Sequence, residues 1–149
     1  MNIRQATLDD LCRIAEIEIF NYRLNFYPIF LDDEYYFKDL QVTHYIEKYK
    51  KEDLTQLFVY DDGCIKGFIL LNDKEVKKLF VEPVLQSQHI GKKLLEYVIK
   101  HYNVSFLWAL ERNEKAISFY FRHGFDKIID RKLEEDTSEY LICLKRDRD

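Results

Sequence analysis

The stretch NEKAISFYFRHGF, Asn113 to Phe125, opens on a good helix N-cap and closes on a glycine suited to end a helix in the left-handed conformation. Between them Ala116, Ile117 and Tyr120 fall on one helical face, with Tyr120 two turns beyond Asn113. The spacing predicts a helix over 114–123 that ends at Gly124. Just before it, VSFLWA reads as a strand. Further back lies VEPVLQSQHIGKKLLEYV, Val81 to Val98, where an apolar strand end passes through Pro83 into polar, turn-rich chain. A helix follows from about Ile90 to His101. Leu94, Leu95, Val98 and Tyr102 form its apolar stripe, and Lys92, Lys93, Glu96 and Lys100 face water.

Toward the N-terminus, NIRQA is a short strand, and Thr7 with Asp10 three residues on makes a capping-box pair ahead of Leu11, Ile14 and Ala15. The segment NYRLNFYPIFLDDEYYF has no clean period and reads as loop with short helical pieces, followed by a helix within VTHYIEKYKK. Gly63 closes a hairpin between strands near Gln56–Tyr60 and Cys64–Leu71, and Gly67 inside the second suggests a bulge or a close backbone approach. KEVKKLFV is a fourth strand, and FDKII and EYLICL are the closing pair. The order β-α-α-β-β-β-α-β-α-β-β implies an α/β (α+β) fold, a mixed, mostly antiparallel central sheet of about seven strands flanked by about four helices.

The 149 residues suit one domain, 1–149, and 47% hydrophobic with 34% charged residues is a globular composition. A formal charge of −4 argues against a dedicated nucleic-acid binder. No apolar run approaches the roughly 20 residues of a membrane span, and MNIRQATLDD lacks the character of a signal peptide, so the expected location is cytoplasmic. Cys12, Cys64 and Cys143 lie in apolar patterns and are expected to be small buried hydrophobes. Neither they nor His44, His89, His101 and His123 show ligand spacing, so no metal site is expected.

The junction at residues 86–92 allows two accounts. The first N–H groups of a helix lack internal partners and, with the macrodipole, stabilise an anion by about 0.3–1 kcal/mol each. Gln86, Ser87 and Gln88 would add side-chain donors, Gly91 a close approach, and Lys92 and Lys93 charge. Alternatively QSQH is a polar loop with Ser87 or Gln88 capping the helix.

Together the two stretches resemble the GCN5-related N-acetyltransferase (GNAT) superfamily. That family's acetyl-CoA loop reads Q/R-x-x-G-x-G/A after a V-x-P strand end, and a later motif reads N-x-x-A-x-x-x-Y-x-x-x-G-F. VEPVLQSQHIG matches the first except at His89, which stands where the family has its first loop glycine, and NEKAISFYFRHGF matches every named position of the second. If that position is already helical, a histidine only replaces a hydrogen with a side chain, and this is the expectation.

The resemblance implies the GNAT fold and acetyl transfer from acetyl-CoA to a primary amine of a small molecule or peptide, with CoA as product. By that resemblance the pantetheine arm bonds to the fourth strand at Leu79, Phe80 and Val81. The diphosphate meets Gln86, Ser87, Gln88, His89, Ile90, Gly91 and Lys92, Asn113 contacts the pantetheine, and Tyr120 lies by the thioester sulfur. Tyr120 is the candidate acid, against the alternative of a tyrosine that only packs its helix. Glu75 falls where the histone-acetylating branch carries its base, with Glu82 or water as competitors and a plain surface charge as the other account. The family's acceptor end is covered by the segment between the first two helices, here FNYRLNFYPIFLDDEYYF, in which Asn21, Tyr22, Arg23 and Tyr27 are the candidates. Its eight aromatics with Asp32, Asp33 and Glu34 suit an amine on an apolar or aromatic body, or else plug the core. Many family members pair their final strands between subunits, which allows a homodimer. The competing function is a non-catalytic acyl-CoA-binding regulatory module, favoured by His89.

Overall fold

The computed structural model describes residues 2–147. Its strands are β1 (Ile3–Gln5), β2 (Leu57–Asp61), β3 (Ile65–Asn72), β4 (Glu75–Val81), β5 (Phe106–Leu110), β6 (Lys127–Leu133) and β7 (Tyr140–Lys145). They are hydrogen-bonded in the order β1-β2-β3-β4-β5-β7-β6. The helices are α1 (Leu11–Asn21), α2 (Tyr27–Phe30), α3 (Val42–Tyr49), α4 (Ile90–Tyr102) and α5 (Glu114–Arg122). The mixed α/β fold is as expected, and the extra helix is α2.

The chain forms two compact units. One holds the described residues up to Leu70 together with Lys78–Tyr97. Here β1, β2 and β3 are antiparallel neighbours, with Val59 opposite both Arg4 and Phe68. A register shift after Tyr60 sets Gly67 beside a bulge, and a Cβ on Gly67 would stand 3.0 Å from the Phe80 carbonyl oxygen and 3.2 Å from Ile90. Glycine is needed there for close approach. The core gathers Leu11, Ile14, Ala15, Ile17 and Ile19 of α1, Tyr45 and Tyr49 of α3, Leu57 and Val59 of β2, and Phe68 and Leu70 of β3. α1 buries Leu11, Ile14, Ala15, Ile17, Glu18, Ile19 and Asn21, a face wider than one stripe, while Cys12 and Phe20 stay exposed. Its entry is fixed as the sequence implies: the Asp10 carboxylate accepts the Thr7 N–H at 2.8 Å.

The segment without a period is almost wholly helical. Wide turns with the π pattern, over Tyr22–Phe26 and Tyr35–Asp39, flank the four residues of α2, which ends at Leu31 with φ 55°. Hydrogen bonds of the i→i+5 kind shift the apolar positions off the 3.6-residue stripe, which is why the pattern is illegible.

The second unit holds Leu71–Lys77 and the described residues from Val98. β4 runs parallel to β5 over a two-residue register, Glu75 opposite Phe106 and Val76 opposite Leu107. β7 pairs antiparallel with β5 on one side and β6 on the other, and every residue of β6 is exposed. Gly124 ends α5 at φ 98°, as its place in the sequence predicts. Of the cysteines only Cys143 is buried; Cys12 and Cys64 are exposed, contrary to expectation. Cys12 follows Leu11 onto the water side of α1, and Cys64 belongs to the hairpin turn.

Candidate active site

The junction after β4 is built in the first unit. The Glu82 N–H bonds the Lys66 carbonyl at 2.9 Å, Pro83–Leu85 make a single tight turn, and Gln86 returns to extended backbone. Ser87 and His89 then take left-handed backbone, φ 76° and φ 65°. His89 is therefore not helical, contrary to expectation: the position does want positive φ, and a side chain there costs roughly 1 kcal/mol or more. Histidine is among the residues that tolerate it best. The first ladder bond of α4 joins the Lys93 N–H to the His89 carbonyl at 3.0 Å. The N–H groups of Ile90, Gly91 and Lys92 thus precede the ladder, with the exposed side chains of Lys92 and Lys93 beside them. These groups fit a diphosphate.

α1 braces this junction. Asn21, 2% exposed, donates to the Val81 carbonyl at 2.8 Å and to the Ile17 carbonyl at 2.9 Å, while its own carbonyl accepts from the Gln86 amide at 3.2 Å. The candidate acceptor contact Asn21 is thereby a buried brace, and Gln86 is tied back to it. Arg13 donates to the Ile65 carbonyl at 3.1 Å and pairs with Glu82 at 2.9 Å. Glu82, the competing base, is engaged in that ion pair.

The other acceptor candidates are also embedded in contacts. Tyr22 donates its hydroxyl to Glu18 and packs on Phe26 and Phe80, with ring centroids 5.2 and 5.4 Å apart. Burial, then the Glu18 charge, push its phenol well above the ordinary value. Arg23 donates to the Tyr36 carbonyl at 3.1 Å and lies over the Phe37 ring. Tyr27 donates to Asp33, which raises its pKa, and packs on Tyr36 and Phe37. Around them Leu24, Leu31, Tyr35 and Phe37 present exposed apolar surface.

Sequence patterns missed the group behind Tyr22. Glu18 is fully buried and accepts from both the Tyr22 and Tyr49 hydroxyls, and the Lys78 ammonium reaches it at 2.7 Å. Burial and the Glu18 charge raise the Tyr49 phenol strongly. A glutamate on a helix ordinarily reads as a solvated charge, and the detectable signal was its place between Ile17 and Ile19, one turn on from Ile14 and Ala15.

In the second unit Asn113 caps α5, its side-chain oxygen accepting the Ala116 N–H at 3.4 Å, which leaves its amide N–H groups as donors. Tyr120 is half-buried, packed against Phe119 and Phe125 at 5.3 and 6.2 Å, and desolvation raises its hydroxyl above an ordinary phenol. It stays protonated through neutral pH. Glu75 is the half-buried first residue of β4. Among the described residues no His, Cys, Asp and Glu cluster could hold a metal ion, and no helix is long and apolar enough to cross a membrane.

Comparison with known proteins identifies the family and the fold. Residues 53–127 match the model of the acetyltransferase (GNAT) domain. The uncharacterized N-acetyltransferase YuaI of Bacillus subtilis is 25% identical over 90% of this chain and 85% of its own length. The spermidine N(1)-acetyltransferase of Thermoplasma acidophilum is 24% identical over 95% of each chain. The crystal structure of the PaiA N-acetyltransferase of Thermoplasma acidophilum in complex with coenzyme A superposes with a TM-score of 0.64 at 23% identity, covering 96% of this chain and 97% of that one.

Proposed function

As a member of the GNAT acetyltransferase family the chain is an acetyl-CoA-dependent N-acetyltransferase, and we propose that its acceptor is a primary amine of a small molecule or peptide, handled by one domain in the cytoplasm. The observation that carries the donor assignment is the left-handed loop through Ser87 and His89, which leads into the unladdered N–H groups of α4. Leu79, Phe80 and Val81 offer strand backbone to the pantetheine. Ser87, Gln88, His89, Ile90, Gly91 and Lys92 hold the diphosphate, with Gln86 fixing the loop through Asn21. Asn113 donates to the pantetheine from its amide.

Bound acetyl-CoA supplies an activated acyl group as a thioester. The amine nitrogen forms a bond to the acyl carbon, the carbon–sulfur bond breaks, and the electron pair leaves on sulfur. Tyr120, held protonated by desolvation, gives that sulfur its proton. Glu75 takes the proton the amine loses. Arg23 and Tyr27 position the acceptor body among the exposed aromatics, and Tyr22 with Asn21 acts from behind. The exposed edge strand β6, with Ile128, Ile129 and Leu133 facing outward, is the surface for a second copy of the chain.

The test is release of free CoA from acetyl-CoA in the presence of spermidine, other polyamines and lysine-ended peptides. Turnover with at least one amine is expected. Binding of CoA by calorimetry without turnover on any amine would favour the regulatory module instead. Glu75→Gln is expected to lower kcat/KM by about 10²–10⁴-fold while CoA still binds; a kcat/KM within about twofold of the unaltered protein would remove Glu75 as the base.

A further inference from the structure

Glu18 is a carboxylate buried within the first unit, and burial of a charge needs a reason. Its carboxylate is 0% exposed and takes three donors: the hydroxyls of Tyr22 and Tyr49, and the Lys78 ammonium at 2.7 Å. Lys78 also donates to the Tyr49 oxygen at 3.3 Å and stands 4.9 and 5.6 Å from the ring centres of Tyr49 and Tyr45. Removing two charges from water costs several kcal/mol per ion, and an apolar pair of similar volume often serves stability as well or better. What apolar packing does not supply is direction: a fully satisfied polar network admits one arrangement.

The direction concerns β4. Residues 13, 18 and 21 of α1 each hold a different point of that strand or its exit: Arg13 takes Glu82, Glu18 takes Lys78, and Asn21 takes the Val81 carbonyl. Leu79, Phe80 and Val81 lie within the span so pinned. We propose that Glu18 is a positioning residue for the acetyl donor, setting through Lys78 the placement of the β4 backbone at 79–81. The inference rests on the assignment of that backbone to the pantetheine arm.

The experiment measures CoA affinity by calorimetry, steady-state kinetics and melting temperature for Glu18→Gln, Lys78→Met, their combination and Lys78→Arg. Kinetics are taken well below each melting point. Either single change is expected to weaken CoA binding and raise KM for acetyl-CoA about tenfold, with a smaller change in kcat. The double variant is expected to be no worse than the poorer single one, because the pair acts as a unit, and to melt no lower than either. Lys78→Arg should retain most of the affinity. Should Glu18→Gln fail to fold, Tyr49→Phe removes one donor of the same carboxylate and is expected to shift KM in the same direction. Variants that melt lower yet keep CoA affinity and KM within twofold would overturn the proposal, as would losses that simply add. Absence of CoA binding by the unaltered protein overturns the donor assignment itself, and this inference with it.

Discussion

At Tyr120 a ring and a hydroxyl do separable work. Tyr120→Phe keeps the packing on Phe119 and Phe125 and deletes the proton donor. The expected outcome is a fall in kcat of about 10²-fold or more with melting temperature and CoA affinity nearly unchanged. Lowered stability with near-full turnover would make the residue structural. Because desolvation raises the phenol, the alkaline limb of the wild-type kcat profile belongs above the ordinary value of about 10. His89 offers a second separation, since at φ 65° the strain comes from its Cβ and not from its imidazole. His89→Gly is expected to raise stability by roughly 0.5–1 kcal/mol after glycine's own entropy is counted, and His89→Ala to gain nothing comparable. Equal melting temperatures for the two variants would contradict that. The later motif was legible down to single residues because its N-cap, helical face and terminating glycine are all local. The conformation of His89 was not, because the same letters fit a helical start or a left-handed turn.

Single elements carry the same contrast. The entry to α1 was readable from Thr7 and Asp10, and the structure adds Arg4, whose guanidinium donates to both Asp10 carboxylate oxygens at 2.8 and 3.1 Å. The Arg4 hydrogen bonds hold the Asp10 carboxyl below the ordinary carboxylate range. A depressed folded pKa means that the contribution to stability is present above the unfolded value, about 3.9, and is lost as pH falls through the folded one. Asp10→Asn should therefore destabilise by on the order of 1–3 kcal/mol at neutral pH, the gap to wild type closing below about pH 4. Thermal melts at pH 7 and pH 3 check it, and a gap that stays constant would refute the linkage. By contrast the turns on either side of α2 could not be read, since their identity lies in tertiary packing of rings rather than in any repeat. The burial of Glu18 and the bracing role of Asn21 escaped because their partners, Lys78 and Val81, lie 60 positions along the chain.

Across the whole molecule, element order and the α/β class were legible because the marks are local: Gly63 in the β2–β3 hairpin, Gly124 at the end of α5, and apolar runs along the strands. The parallel register of β4 on β5 was not, since pairing between strands separated by a helix leaves no local trace. That register is two residues long, against five between β5 and β7 and six between β6 and β7. Protection of backbone amides follows the free energy of local opening, and parallel pairs hold slightly less per residue than antiparallel ones. In deuterium exchange the amides across β5 and β7 are expected to be the last in the second unit to be replaced. Those joining β4 to β5 should exchange at least about tenfold faster, which corresponds to about 1.4 kcal/mol less opening free energy. Uniform protection over both ladders would refute this. A seam fastened by so few rungs can part and close many times while the β5–β7 ladder stays locked, so the sheet breathes between β4 and β5.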